Sequence, residues 1–218
     1  GDVYKRQVMM GDIAAAQNGR MPLRVTVHAA AGIETIELRN GGEVIETIRT
    51  HDAASLGRRI RVIWSGAEYR GRGRNTLWQG VIDVAGASIL SMSPINRWNP
   101  ERLLEQRGSS QIAFESVTTG NFAGVDLWLD ADDAELAIRT SLGEMSVKAA
   151  ELGVEPVRLD CGGLDRRLTV TRLPETPLAA SLSFERSVDI EAGRDNPIWV
   201  CVTTEDGHQA WSSPCLLY

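Results

Sequence analysis

The strongest constraint on this chain is its period of two. In Arg59-Ile60-Arg61-Val62-Ile63-Trp64-Ser65, the residues Ile60, Val62 and Trp64 alternate with Arg59, Arg61 and Ile63. That is the pattern of a strand with one face in a core and one toward water. The same reading covers Leu23 to Ala29, Ile33 to Leu38, Glu43 to Thr50, Ile112 to Val117, Val125 to Leu129, Glu135 to Arg139, Leu168 to Leu173, Leu182 to Ile190 and Ile198 to Thr203. Leu77 to Ser93 reads as two strands broken at Ala85-Gly86, a further candidate hairpin. About a dozen strands with frequent turn signals predict an all-β, immunoglobulin-like β-sandwich region with an additional β unit and very little helix.

Turn chemistry fixes where strands reverse. Asn40-Gly41 predicts a tight hairpin joining the strands on either side, and Asp206-Gly207 predicts another near the C-terminus. Helical signals are few. Asn99-Pro100-Glu101 offers an N-cap, a proline at the first helical position and an acid in the first turn, which predicts about two turns before Gly108. Ser146 to Leu152 is open between helix by propensity and strand by context. Leu173-Pro174-Glu175-Thr176-Pro177 is the best candidate connection between sub-structures, because proline lacks the donor a central strand needs.

Charge and side-chain chemistry exclude more than they assign. A net charge of −6 and a pI near 5.2 make nucleic acid an unfavourable partner, and no apolar run reaches membrane-spanning length. The basic run Arg70-Gly71-Arg72-Gly73-Arg74 has no interleaved aromatics and reads as a solvated or ion-paired turn, with anion binding as the alternative. Asp126, Asp130, Asp132, Asp133 and Glu135 form the densest acidic cluster. Glu135 stands at the sixth position, where a calcium-binding loop needs glycine, so the cluster reads as a solvated turn, with a weak cation site as the alternative. Cys161, Cys201 and Cys215 contain no CxxC pair and are expected as reduced thiols. Cys201 and Cys215 would join only with their Cα atoms within about 7 Å. His28, His51 and His208 lack ligand spacing, and no Gly-x-Ser-x-Gly elbow or phosphate-binding glycine pattern is present. The sequence therefore assigns no catalytic, cofactor-binding or metal-ligating residue.

Two resemblances add to this reading. Asp2-Val3-Tyr4-Lys5-Arg6-Gln7, with Gly1, resembles the translated end of a sequencing-library adapter, which predicts that the natural sequence begins near Val8 as the downstream part of a longer product. Compartment is then unreadable. The C-terminal stretch Asn196-Pro197-Ile198-Trp199-Val200-Cys201-Val202-Thr203-Thr204-Glu205-Asp206-Gly207-His208-Gln209-Ala210-Trp211-Ser212-Ser213-Pro214 resembles the end of a family of uncharacterised proteins related to the PHP (polymerase and histidinol phosphatase) metal-dependent hydrolases. The segments at Arg59 to Trp64, Arg70 to Arg74, Trp78 to Gly80, Ser116 to Asn121 and Gly124 to Leu129 look like landmarks of the same family in the same order.

The resemblance implies a metal-binding hydrolase domain upstream, opened by His-x-His, with this chain as its β-rich accessory region. The divalent metal and the catalytic groups are then expected in that upstream domain, which would be the principal partner. The family also implies a discontinuous immunoglobulin-like sandwich from residues 8–69 with 191–218, and residues 70–190 inserted as a second β unit. A stand-alone sandwich module binding carbohydrate or protein is the alternative. An exposed Trp98 or Trp78 would favour binding, and a broad uncovered apolar face would favour scaffolding.

Overall fold

The computed structural model describes residues 9–14 and 19–217, so the adapter-like residues 1–7 lie outside the described residues. In chain order the strands are β1 (Ile13–Ala14), β2 (Arg20–His28), β3 (Ile33–Asn40), β4 (Glu43–Arg49), β5 (Arg59–Ala67), β6 (Thr76–Ala85), β7 (Ile89–Ile95), β8 (Leu104–Arg107) and β9 (Gln111–Thr118). They continue as β10 (Phe122–Leu129), β11 (Glu135–Thr140), β12 (Glu144–Lys148), β13 (Val157–Asp160), β14 (Leu164–Leu173), β15 (Ser181–Asp189), β16 (Asn196–Thr204), β17 (Gln209–Trp211) and β18 (Cys215–Leu217). Two three-residue 3-10 turns, Ala53–Ser55 and Ala149–Glu151, are the helical content of the described residues. The protein is all-β and sandwich-like.

Its residues form two units, one from the segments up to Thr50 and from Pro177 onward, the other from His51–Thr176. The return crossing falls inside the proline-rich stretch. These limits differ from the expected 69/70 and 190/191 boundaries because strand pairing overrides proximity along the chain. β5 is the central strand between β14 and β10 and so belongs to the second unit, while β15 pairs along its whole length with β2 and belongs to the first.

In the first unit a six-stranded sheet runs β1-β18-β16-β3-β4, with β17 also on β16, and β2 and β15 form a two-stranded ribbon. Val188 and Ile190 meet Leu38, Ile198 and Leu217 in one apolar cluster, and Ile33, Ile36 and Val202 pack with Val27, Leu182 and Phe184 in a second. The ribbon therefore closes over the larger sheet.

The first hairpin differs in detail from its sequence reading. Asn40 pairs with Glu43, which leaves Gly41-Gly42 as the two-residue turn, with φ +58° at Gly41, as the type II′ hairpin turn requires. Asn40 is withdrawn from the turn because its amide donates to Asn196 Oδ1 at 3.0 Å. The Asn196 amide in turn donates to the carbonyls of Glu191 and Arg194 at 2.9 and 3.0 Å, and Asn196 is wholly buried. Replacing Asn196 with Ala leaves these groups without partners, so a loss of about 2 kcal/mol is expected, read as a fall of several degrees in the melting temperature. The last hairpin turns through Glu205-Asp206-Gly207, closed by Thr204 N–H to His208 O at 2.9 Å, and only Gly207 has positive φ.

The second unit stacks two five-stranded sheets, β13-β14-β5-β10-β7 and β12-β11-β6-β9-β8, on one continuous apolar core. Across it Trp64 of β5 stacks on Phe114 of β9, centroids 4.1 Å apart and planes 10° from parallel. Trp78 is fully buried and donates its indole N–H to Thr118 Oγ1 at 2.9 Å. The expected hairpin at Ala85-Gly86 does not form. Both edges of β6 are taken by β9 and β11, so β7 crosses to the other sheet and pairs with β10.

The expected helix after Asn99 is also replaced, by one turn and the strand β8. Two helical turns are too short to repay nucleation, and Leu104 gains a place opposite Phe114 instead. Ser146 to Leu152 divides between the end of β12 and the second 3-10 turn.

Candidate binding site at one end of the second sandwich

Antiparallel pairing collects several connections at one end of this sandwich. β5 ends where β10 begins, and β6 begins opposite the end of β9. The β5–β6, β7–β8 and β9–β10 connections therefore share that end, an arrangement in which loops are free to bind while the sheets hold them.

The β7–β8 connection, residues 96–103, is a braced strap. It leaves β7 at Asn96, whose φ of +50° turns the chain out of the sheet and whose amide donates to Phe122 O at 3.3 Å. The Arg97 guanidinium donates to the carbonyls of Pro100 and Arg102, each at 2.9 Å. Asn99 Oδ1 accepts from Glu101 N–H at 3.2 Å, and Leu103 O receives Glu115 N–H at 2.8 Å. On this strap Trp98 is 61% exposed. A run of turn formers, Asn96-Arg97-Trp98-Asn99-Pro100, excludes the indole from any strand face that would bury it.

Beneath the strap, between the edges of the two sheets, lies a pocket of about 30 Å3 lined by Trp64, Trp98, Asn99, Arg102, Phe114 and Glu115 among others. Glu115 accepts from Gln79 Nε2 at 2.9 Å and pairs with Arg102. The Gln79 hydrogen bond, with the charge of Arg102, holds the Glu115 carboxyl below the usual glutamate range, so it is an ionised acceptor at neutral pH.

The chain's tryptophans single out one member. Trp78, Trp128 and Trp199 donate to Thr118 Oγ1, Glu175 O and Gly41 O at 2.9, 3.1 and 2.8 Å, and Trp98 and Trp211 are exposed. Trp64 is 3% exposed and its Nε1 has no acceptor.

The other residues singled out in the sequence are spent elsewhere. The acidic cluster divides: Asp126 is buried between Arg59 and Arg61, Asp130 accepts from Ser88 N–H at 2.7 Å, and Asp132 pairs with Arg172 at 2.6 Å. Arg70 to Arg74 stand exposed in the β5–β6 loop, closed at its base by Glu68 N–H to Arg74 O at 3.3 Å. His28 bonds Ser181 Oγ at 3.0 Å and His208 pairs with Asp206 at 3.1 Å, on separate elements.

The three cysteines are free thiols, and burial pushes each thiol pKa up, opposite to the shift that activates a nucleophile. Cys215 pairs opposite Ile198, three positions from Cys201 along β16, or about 10 Å at strand rise. Among the described residues no group of three or more His, Cys, Asp or Glu side chains is placed to hold a metal ion. No protein-family model, curated protein or solved structure matches the chain.

Proposed function

We propose that this chain is a non-catalytic accessory region that binds through the loop end of its second unit and serves a PHP-related metal-dependent hydrolase, acting on phosphoesters, whose catalytic domain and divalent metal lie upstream. The observation that carries the binding role is Trp98, a large apolar ring held in water on a strap braced by Arg97. Fixing the backbone that carries the ring before a ligand arrives lowers the entropy lost on binding. The hydrolase association rests on the resemblance of the C-terminal strands and of the Arg59 to Leu129 landmarks. A stand-alone binding module is the second reading, and the same exposed Trp98 favours it.

The test is direct. The purified chain is expected to hydrolyse neither p-nitrophenyl phosphate nor bis(p-nitrophenyl) phosphate above the rate given by added Mn2+ or Zn2+ alone. Turnover by this chain that survives repurification and saturates with substrate would overturn the accessory reading.

A further inference from the structure

We infer that the loop end of the second sandwich is a binding trough for a short polyanion carrying tetrahedral oxyanion groups, phosphate or sulfate, held from two sides by Arg70, Arg72, Arg74 and Arg97. The inference rests on the binding role proposed above and names its ligand class. It does not draw on the hydrolase association.

The trough follows from topology. β10 lies between β5 and β7 in one sheet, and β9 lies between β6 and β8 in the other. The β5–β6 and β7–β8 connections, residues 68–75 and 96–103, therefore cross the sandwich two strands apart, about 10 Å, on either side of the β9–β10 turn. That turn is only Thr119-Gly120-Asn121, and a Cβ at Gly120 would meet no atom within 4 Å. Two long walls thus flank a short floor.

Charge on those walls is uncompensated. Elsewhere arginines meet carboxylates, as Arg20 meets Asp189, Arg24 meets Glu185 and Arg186 meets Glu46. Arg70, Arg72, Arg74 and Arg97 are exposed, and among the described residues no carboxylate pairs with any of them. Arg97 donates to backbone carbonyls, which leave its charge in place. The acids on the same two connections are Glu101 and Glu68, and Glu68 lies 4.0 Å from Arg166. Like charges gathered in this way repel one another, and a bound anion relieves the repulsion. At physiological ionic strength charges beyond about 8 Å are largely screened, so these walls govern what binds between them. A long polyanion would run onto the rest of a chain whose net charge is −6, which restricts the ligand to a short one.

Donor chemistry selects the kind of anion. An exposed guanidinium gains little from a single carboxylate, so affinity at this site requires dense charge on one ligand. A phosphate group carries nearly two charges and three acceptor oxygens, and the guanidinium fork matches it. The β5–β6 backbone adds donors. Gly71 and Gly73 have φ +113° and +76° with Arg72 between them at negative φ, and the N–H groups from Arg70 to Gly73 donate to no described residue. Turn backbone of this kind presents its N–H groups to oxyanions. Tyr69 and Trp98, 50% and 61% exposed, put a ring on each wall for the ligand's carbon frame.

Calorimetric titration of the 218-residue chain at physiological ionic strength with inorganic tripolyphosphate, inositol hexakisphosphate, sucrose octasulfate and tetragalacturonate tests this. At least one of the first three is expected to bind more tightly than tetragalacturonate, with an affinity that falls as NaCl is added. Whether a phosphate or the sulfate ligand binds tighter identifies the source of the oxyanions. Arg70→Ser, Arg72→Ser and Arg74→Ser combined are expected to weaken that binding at least tenfold. Their melting temperature is expected to stay within about two degrees of the parent, since these side chains have no partner among the described residues. Arg20→Ser, Arg24→Ser and Arg194→Ser combined remove the same charge from the first unit and are expected to change binding less than twofold. Failure of all three oxyanion ligands to bind, tetragalacturonate binding as tightly as the best of them, or a loop variant that binds no worse than the first-unit variant would overturn the assignment. Such failure without phosphoesterase turnover removes this inference alone, whereas turnover counts against the accessory reading whatever these anions do.

Discussion

Asp126→Ala is expected to be among the most damaging single substitutions in the second unit. Asp126 is 2% exposed and its carboxylate receives Arg61 Nε at 2.7 Å, Arg61 Nη2 at 3.0 Å and Arg59 Nε at 3.0 Å. Arg59 and Arg61 are themselves 5% and 3% exposed, and Arg59 also lies over the Trp128 ring at 5.0 Å. Removing one member of a buried ionic group costs about 3–5 kcal/mol, because desolvated charge is left behind without its counter-ion. The fall in melting temperature is expected to be on the order of 10 °C. Asp126→Asn keeps the shape and loses the charge, so it is expected to be nearly as damaging. If calorimetry finds either variant within two degrees of the parent, the carboxylate does not carry the load assigned to it.

The same residues show where sequence reading reached and where it stopped. Period two placed Ile60, Val62 and Trp64 in a core, and all three are buried. The same rule assigned Arg59 and Arg61 to water, and it failed there. Alternation reports that two faces differ in polarity; it does not report that charges on one face pair with complementary charges on the neighbouring strand and are buried together. Asp126 was read with its neighbours in sequence, Asp130 to Glu135, whereas its partners are 65 and 67 positions away on β5. Only strand register brings them together: Arg61 stands opposite Asp126.

Turns were legible to within a residue, since Gly41 and Gly207 mark them by backbone chemistry alone. Which strand pairs with which was less so. β6 and β7 are adjacent in sequence yet lie in different sheets, a choice made by competition for sheet edges rather than by local pattern. At the candidate site, Trp98 was marked in the sequence only as a residue whose exposure would favour binding, and the helix expected after Asn99 gave no sign of the strap that carries it. Trp64 was visible only as a core residue, because a missing hydrogen-bond acceptor is a property of three-dimensional packing.

The second large effect is expected at Gly66, which holds the loop end of the same sandwich in register. Ser65 pairs with Arg167 and Ala67 with Leu164, so β14 carries Asp165 and Arg166 as an irregularity opposite the single residue Gly66. Gly66 has φ +96°, and a Cβ there would lie 2.4 Å from Arg166 N and from Asp165 C and O. These are backbone atoms and have no rotamer to move to. Its carbonyl accepts from Thr118 Oγ1 at 2.6 Å and Gly120 N–H at 3.1 Å, and Thr118 Oγ1 in turn receives the Trp78 indole. Gly66→Ala therefore combines left-handed backbone strain with overpacking, each about 1–3 kcal/mol, and disturbs the anchor of the β9–β10 turn. A loss of about 3 kcal/mol or more is expected, with a melting temperature lower by roughly 10 °C. Gly42→Ala is the matched control, since no atom lies within 4 Å of its Cβ position and its φ is not left-handed. It is expected to change stability by less than about 1 kcal/mol. Equal melting temperatures for the two variants would mean that β14 does not approach β5 as closely as described. The support beneath the Trp98 strap would then have to come from the β8–β9 side, where Leu103 O and Glu115 N–H already tie it down.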